Sequence, residues 1–254
     1  MIDAHIHHQF TTNFAQQELE DLKRKLKAHG IDQSILYLIY DNDITDKNYM
    51  LSFGESIIPS VMLDPKDGQV SEKLLDIKRA GIKMIKILPY EQQLYYEDYP
   101  LVCDFAQQIQ EQKMVLTICG SYGSKDVYKT NGVELAAAVL NSGFTNPLIL
   151  AHGGMVRQLD AYSLMVEYPN LYMDLSFTIK YWWGSHIIQD LYFTLNKFNF
   201  MRAFYGSDYP NVTLKEAREY FDCFCNMFNV AETDRKKMLE GNFKRFYHDF
   251  LRDN

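Results

Sequence analysis

Ile2-Asp3-Ala4-His5-Ile6-His7-His8 runs as a short apolar strand straight into histidines, and its reading decides the fold. An open, doubly wound α/β sheet usually leaves its first strand through a glycine-rich turn, and none follows here. Outward from that strand, compact apolar runs recur at Ser34–Tyr40, Ile57–Leu63, Lys83–Leu88, Met114–Cys119, Leu148–His152, Leu171–Leu175 and Ala203–Gly206. Near-continuous hydrophobicity of this kind suits parallel strands covered by helices. Helical segments are expected between them: Gln16–His29, about Asp46–Glu55, Val70–Ala80, Leu101–Gln112, Gly132–Asn141, Gln158–Glu167, His186–Asn196 and Leu214–Phe228. Leu19, Leu22 and Leu26 show the spacing of one buried helix face. Glu232–Leu239 and Asn242–Leu251 add two closing helical pieces. Eight strand–helix units in 254 residues predict an α/β protein, a (β/α)₈ TIM barrel forming one domain over 1–254.

Composition narrows the function. The chain is 47% hydrophobic and carries 26 Lys+Arg against 33 Asp+Glu, a net charge of −7. That balance belongs to a packed globular chain and not to a disordered one. It also argues against nucleic-acid binding, which needs a basic face to displace counterions. No apolar run approaches the roughly 18 residues of a membrane span. Met1-Ile2-Asp3 lacks the basic start and apolar stretch of a secretory leader, so a cytoplasmic chain is expected. The four cysteines, Cys103, Cys119, Cys223 and Cys225, are too few for a disulfide scaffold and read as reduced thiols. Cys223 and Cys225 sit two apart on an expected helix, so they read as packing residues and not a metal pair.

In a barrel, chemistry gathers at the C-terminal strand ends. Strict alternation would put Asp3, His5 and His7 on one face, toward the barrel mouth, and Ile2, Ala4 and Ile6 outward against helices. Strand six ends on His152 and strand eight on Asp208, within Tyr205-Gly206-Ser207-Asp208-Tyr209-Pro210. Two imidazoles at strand spacing, joined by a histidine and a carboxylate from distant strands, are harder to explain by packing than by metal binding or catalysis. His29, His186 and His248 read instead as hydrogen-bonded core residues, and His8, of the other parity, as a loop residue.

Five segments then carry a specific resemblance: Asp3-Ala4-His5-Ile6-His7, Gly81–Pro89, Leu150-Ala151-His152-Gly153-Gly154, Asn170–Ser176 and Gly206-Ser207-Asp208-Tyr209-Pro210, with Gly241–Phe246 as a closing helix. In this order the chain resembles the amidohydrolase superfamily, in its amidohydrolase-related branch of TIM-barrel hydrolases and decarboxylases. The resemblance implies that His5 and His7 bind one divalent metal, usually zinc, with Asp208 as a further ligand or general base. His152 would polarise or protonate the reacting group. The family commonly adds a metal-binding histidine at the end of strand five, where this chain has Thr117-Ile118-Cys119-Gly120. Three readings follow: Cys119 thiolate completes the metal site, His152 moves in to complete it, or the pocket works without metal.

Lys86, near the end of strand four, is a candidate for binding a substrate anion, and Arg157 for pairing a carboxylate. Aromatic residues after strands four and seven, Tyr90, Tyr95, Tyr96, Tyr99, Phe177, Tyr181, Trp182 and Trp183, would line a pocket for a flat small molecule or form a homodimer contact. Among them Tyr90 and Trp182 are the candidate substrate contacts. Tyr122-Gly123-Ser124-Lys125 reads as a mobile loop. The expected function is metal-assisted hydrolysis, or non-oxidative decarboxylation, of a small organic acid, ester, lactone or amide, with Asp208 as base. A metal-independent lactone hydrolase and a small-ligand-binding barrel without catalysis are the alternatives.

Overall fold

A computed structural model describes residues 1–8, 16–40, 51–121 and 128–252. Eight parallel strands follow one another around a single sheet in sequence order: β1 Ile2–His7, β2 Gln33–Ile39, β3 Ile57–Met62, β4 Met84–Ile87, β5 Val115–Cys119, β6 Leu148–Ala151, β7 Leu171–Asp174 and β8 Ala203–Phe204. The last strand returns to the first. Ala4 N–H donates to the Tyr205 carbonyl at 2.8 Å, Asp208 N–H to His5 at 2.8 Å and His7 N–H to Tyr209 at 2.6 Å. The fold is the expected TIM barrel.

Helices cover the outside: α1 Gln16–Ala28, α2 Val70–Arg79, α3 Tyr99–Glu111, α4 Gly132–Asn141, α5 Gln158–Glu167, α6 Thr178–Tyr181, α7 His186–Lys197 and α8 Leu214–Met227. The short α6 follows β7 directly and was not anticipated; four residues are too few for a periodic signal. Of the helix expected near 46–55, residues 46–50 lie outside the described residues and 51–53 are helical. The Tyr122–Lys125 loop also lies outside them. On α1, Leu19, Leu22 and Leu26 are buried as their spacing requires, each contributing about 1.5–3 kcal/mol by leaving water. No helix among the described residues is long and apolar enough to cross a membrane.

Two apolar layers result. One lies between strands and helices. The other fills the barrel's lower interior with Ile2, Ala4, Ile35, Met84, Val115, Ile149 and Phe204, closed underneath by Phe243, Phe246 and Leu251. Ile2 and Ala4 therefore face inward, not outward as simple alternation predicted, while Ile6 packs in the outer layer. The pairing of β1 with β2 shifts register between Asp3 and Ile6. This bulge adds one residue and reverses the parity, so Ala4 and His5 both end up inside. Asp3 does not share the mouth with the histidines; its Oδ1 accepts His5 N–H at 3.1 Å and Ser207 N–H at 2.8 Å, tying β1 to the β8 end.

Candidate active site

Above the apolar plug the inward side chains turn polar. His5 and His7 (β1), Lys86 (β4), Cys119 (β5), His152 (after β6), Asp174 (β7) and Asp208 (after β8) converge at the C-terminal mouth. The local backbone is built for close approach. Gly206 lies where a Cβ would sit 3.0 Å from His5 Cβ, and Gly132, the first residue of α4, where one would sit 2.0 Å from the Cys119 carbonyl. Asn131 caps α4 by accepting from Val133 and Glu134 N–H, which holds that helix start against Cys119. His152 (φ 60°), Phe177 (φ 62°) and Asp208 (φ 64°) occupy the left-handed region, a conformation that non-glycine residues hold only where their surroundings enforce it.

At the centre, His5 Nε2 and His7 Nε2 are 3.1 Å apart, and Asp208 Oδ1 is 3.5 Å from each. A point equidistant from three such atoms lies about 2 Å from them, the bond length that zinc takes to nitrogen and oxygen. The three donors thus fit a divalent ion. Asp174 Oδ2 accepts from His5 Nδ1 at 2.9 Å, the carboxylate–imidazole pairing that fixes a ligand's ring and leaves Nε2 its lone pair. Asp174 Oδ1 accepts from the N–H groups of His152 (3.2 Å) and Ser176 (3.0 Å), and from the Ser176 hydroxyl. Sequence reasoning missed Asp174. It is an inward carboxylate ending a strand, so the test that selected Asp208 would have found it.

Lys86 is buried, with Nζ 2.8 Å from His5 Nε2, 3.4 Å from His7 Nε2 and 3.9 Å from the Tyr37 ring centre. Burial lowers its pKa. Burial first, and then the Lys86 charge, lower both His5 and His7, keeping these imidazoles neutral. Burial opposes ionisation of Asp208, yet the His7 hydrogen bond and the His152 charge hold its carboxyl well below the usual range. His152 runs the other way. Burial would lower it, but Cys119, by charge and hydrogen bond, and then Asp208 and Asp174 raise it to about 9. Reciprocally, burial pushes the Cys119 thiol up, while His152 and Lys86 outweigh that and bring it below its ordinary value. The His152 ring is held by Nδ1 at 3.1 Å from the Ser176 carbonyl.

These groups floor a cavity of about 1260 Å³. Lys86, Tyr90, Cys119, His152, Trp182 and Asp208 border it; His5 does not. Three expectations need correction. Arg157 is absent from the cavity wall: at the start of α5 it faces out, pairing with Asp160 (3.3 Å) and Glu134 (3.8 Å). Cys119 borders the cavity beside Ser121 Oγ (2.9 Å) but belongs to neither cluster of mutually close donors, His5–His7–Asp208 or His5–His152–Asp174. The thiol instead couples to the His152 ring, by charge and by hydrogen bond. His29, His186 and His248 are exposed and not core. Of the aromatic residues, Phe177 and Tyr181 also border the cavity, whereas Tyr96 is exposed against Tyr99 and Trp183 packs on Tyr220.

The sequence signature of one protein family, described as amidohydrolase, matches residues 54–248. The chain belongs to the amidohydrolase family. His5 and His7 precede the matched stretch of this amidohydrolase, while Lys86, Cys119, His152, Asp174 and Asp208 fall within it. No curated protein sequence matches the chain. Solved structures similar to this amidohydrolase share its fold at low identity. A TIM-barrel protein from Bordetella bronchiseptica is 16% identical, with TM-score 0.73 over 99% of this chain and 100% of its own. A protein named a 2-pyrone-4,6-dicarboxylic acid hydrolase from Acinetobacter baumannii, with citric acid bound, is 14% identical, with TM-score 0.69 over 97% and 98%. A dihydroxybenzoic acid decarboxylase from Polaromonas sp. JS666, with manganese and the inhibitor 2-nitroresorcinol, is 14% identical, with TM-score 0.63 over 97% and 96%.

Proposed function

We propose that the chain, acting as one domain over 1–254, hydrolyses or non-oxidatively decarboxylates a small organic acid, ester, lactone or amide in this mouth cavity. One observation carries the reading: two neutral imidazole nitrogens and an ionised carboxylate oxygen meet within 3.5 Å of one another beside a cavity of about 1260 Å³. The family consists of hydrolases and decarboxylases, and similar folds hold citric acid or 2-nitroresorcinol. A divalent ion held by His5, His7 and Asp208, zinc or the manganese seen in one relative, would supply a Lewis acid for a carbonyl oxygen and acidify a water. Asp208, ionised across the neutral range, takes a proton from the attacking water. His152, protonated below about pH 9, gives a proton to the leaving oxygen or nitrogen, or to the carbon that loses carbon dioxide. Tyr90 and Trp182 hold a flat substrate against the wall, and Lys86 pairs its anionic group.

A metal-independent lactone hydrolase is the second reading, and the placement of Lys86 Nζ against the His5 and His7 nitrogens favours it. The test is a turnover panel of small lactones, esters, amides and aromatic carboxylates, followed by acid release and carbon dioxide release. Turnover of one class is the expected result. Tight binding of these compounds with no turnover would leave a ligand-binding barrel and overturn the proposal.

A further inference from the structure

Asp174 settles which His5 nitrogen carries the proton. A carboxylate oxygen only accepts, so the 2.9 Å contact places a hydrogen on Nδ1 and leaves a lone pair on Nε2. That lone pair points at the centre, toward the His7 nitrogen 3.1 Å away, and a buried lone pair needs a donor or a cation. The nearest donor is Lys86 Nζ at 2.8 Å, which also reaches His7 Nε2 at 3.4 Å. The amine rests on the Tyr37 ring, and no carboxylate oxygen among the described residues lies within the 4.0 Å of an ion pair with it. Lys86 borders the cavity and His5 is fully buried, with the amine 2.8 Å from the very nitrogen a metal would use.

We infer that Lys86 is the built-in cation of this centre, competing with a divalent ion for the His5 and His7 lone pairs, so that the site holds one or the other. An ion bonded to His5 Nε2 at about 2 Å would stand no more than about 5 Å from Nζ, since that nitrogen is 2.8 Å from the amine. Two cations that close, in a site shielded from water, repel strongly. The inference rests on the reading of His5, His7 and Asp208 as one donor set, and it makes Lys86 the residue that sets the metal affinity of that set.

Metal binding decides it. Wild type and Lys86→Met are stripped with chelator, dialysed against zinc and, separately, manganese, and their bound metal is measured at equilibrium. Methionine keeps the length of the side chain and removes the charge. Lys86→Met should take up one ion about 100-fold more tightly than wild type, and a Lys86→Met/His5→Ala double variant should lose that gain. Lys86→Gln, with a different shape, should move in the same direction, and circular dichroism should show each variant folded. Equal or weaker metal binding by both Lys86 variants would overturn the inference, because the amine would then be neutral to the metal or a ligand of it. The reading of function fails separately, through absence of turnover in the wild type.

Discussion

Replacing Asp174 with asparagine should reverse the proton placement on His5. The carboxylate receives four donors: His5 Nδ1–H on Oδ2, and His152 N–H, Ser176 N–H and the Ser176 hydroxyl on Oδ1. An amide must turn its NH₂ toward one side. Facing Oδ1's partners it would oppose three donors; facing His5 it opposes one, and the imidazole can relieve that by moving its proton to Nε2. The second arrangement wins. It costs at least one buried charge-assisted bond, roughly 1.5–3 kcal/mol, or roughly 3–12 °C of melting temperature for a chain this long. The new Nε2–H would point at Lys86, 2.8 Å away, and remove the lone pair from the centre. Turnover should fall by about 100-fold or more, as expected when a carboxylate that orients a histidine is lost. Nitrogen-15 NMR of labelled histidine reads the tautomer directly. Unchanged His5 nitrogen shifts, with wild-type turnover, would refute the role given to Asp174.

Three further outcomes follow from single contacts. Gly132→Ala would put a methyl 2.0 Å from the Cys119 carbonyl oxygen, and neither backbone can yield, so calorimetry should show a loss of about 3 kcal/mol or more; a wild-type melting temperature would contradict the packing. Cys119→Ala removes the first of the groups that raise His152 against burial to about 9, so the alkaline limb expected from His152 in the wild-type rate profile should move toward neutrality; an unmoved limb would separate thiol from imidazole. Burial raises Asp3 to about 7, so the folded chain keeps a proton that the unfolded chain releases near pH 4. Stability should therefore fall as pH rises from about 4 to about 7, on the order of 4 kcal/mol from this group, and Asp3→Asn should flatten that limb in denaturant titrations; identical slopes would refute the assignment.

The barrel was legible because its evidence is redundant. Each strand is a short apolar run and each major helix a periodic one, so errors of one or two residues at their ends leave the order intact. Strand-end logic found His5, His7, His152 and Asp208 for the same reason, since the fold sends every such residue to one rim. What failed was local. Alternation misplaced Ile2, Ala4 and Asp3 because a bulge is a single extra residue with no composition of its own. Arg157 follows His152 by five residues but sits beyond the turn, on the helix surface, where Asp160 and Glu134 neutralise it. Spacing along β4 is enough to turn Lys86 toward the barrel, but only the folded chain brings it to the two imidazoles.

The proton transfer proposed for Asp208 at the His5–His7 centre is put to the test by Asp208→Asn, measured on whichever substrate class the wild type turns over. The amide keeps the side chain's size and can still face Asn211, which donates to Asp208 Oδ2 at 3.1 Å. In that variant kcat should fall by about 1,000-fold or more with the fold and substrate binding retained. A kcat within a few-fold of wild type would contradict it.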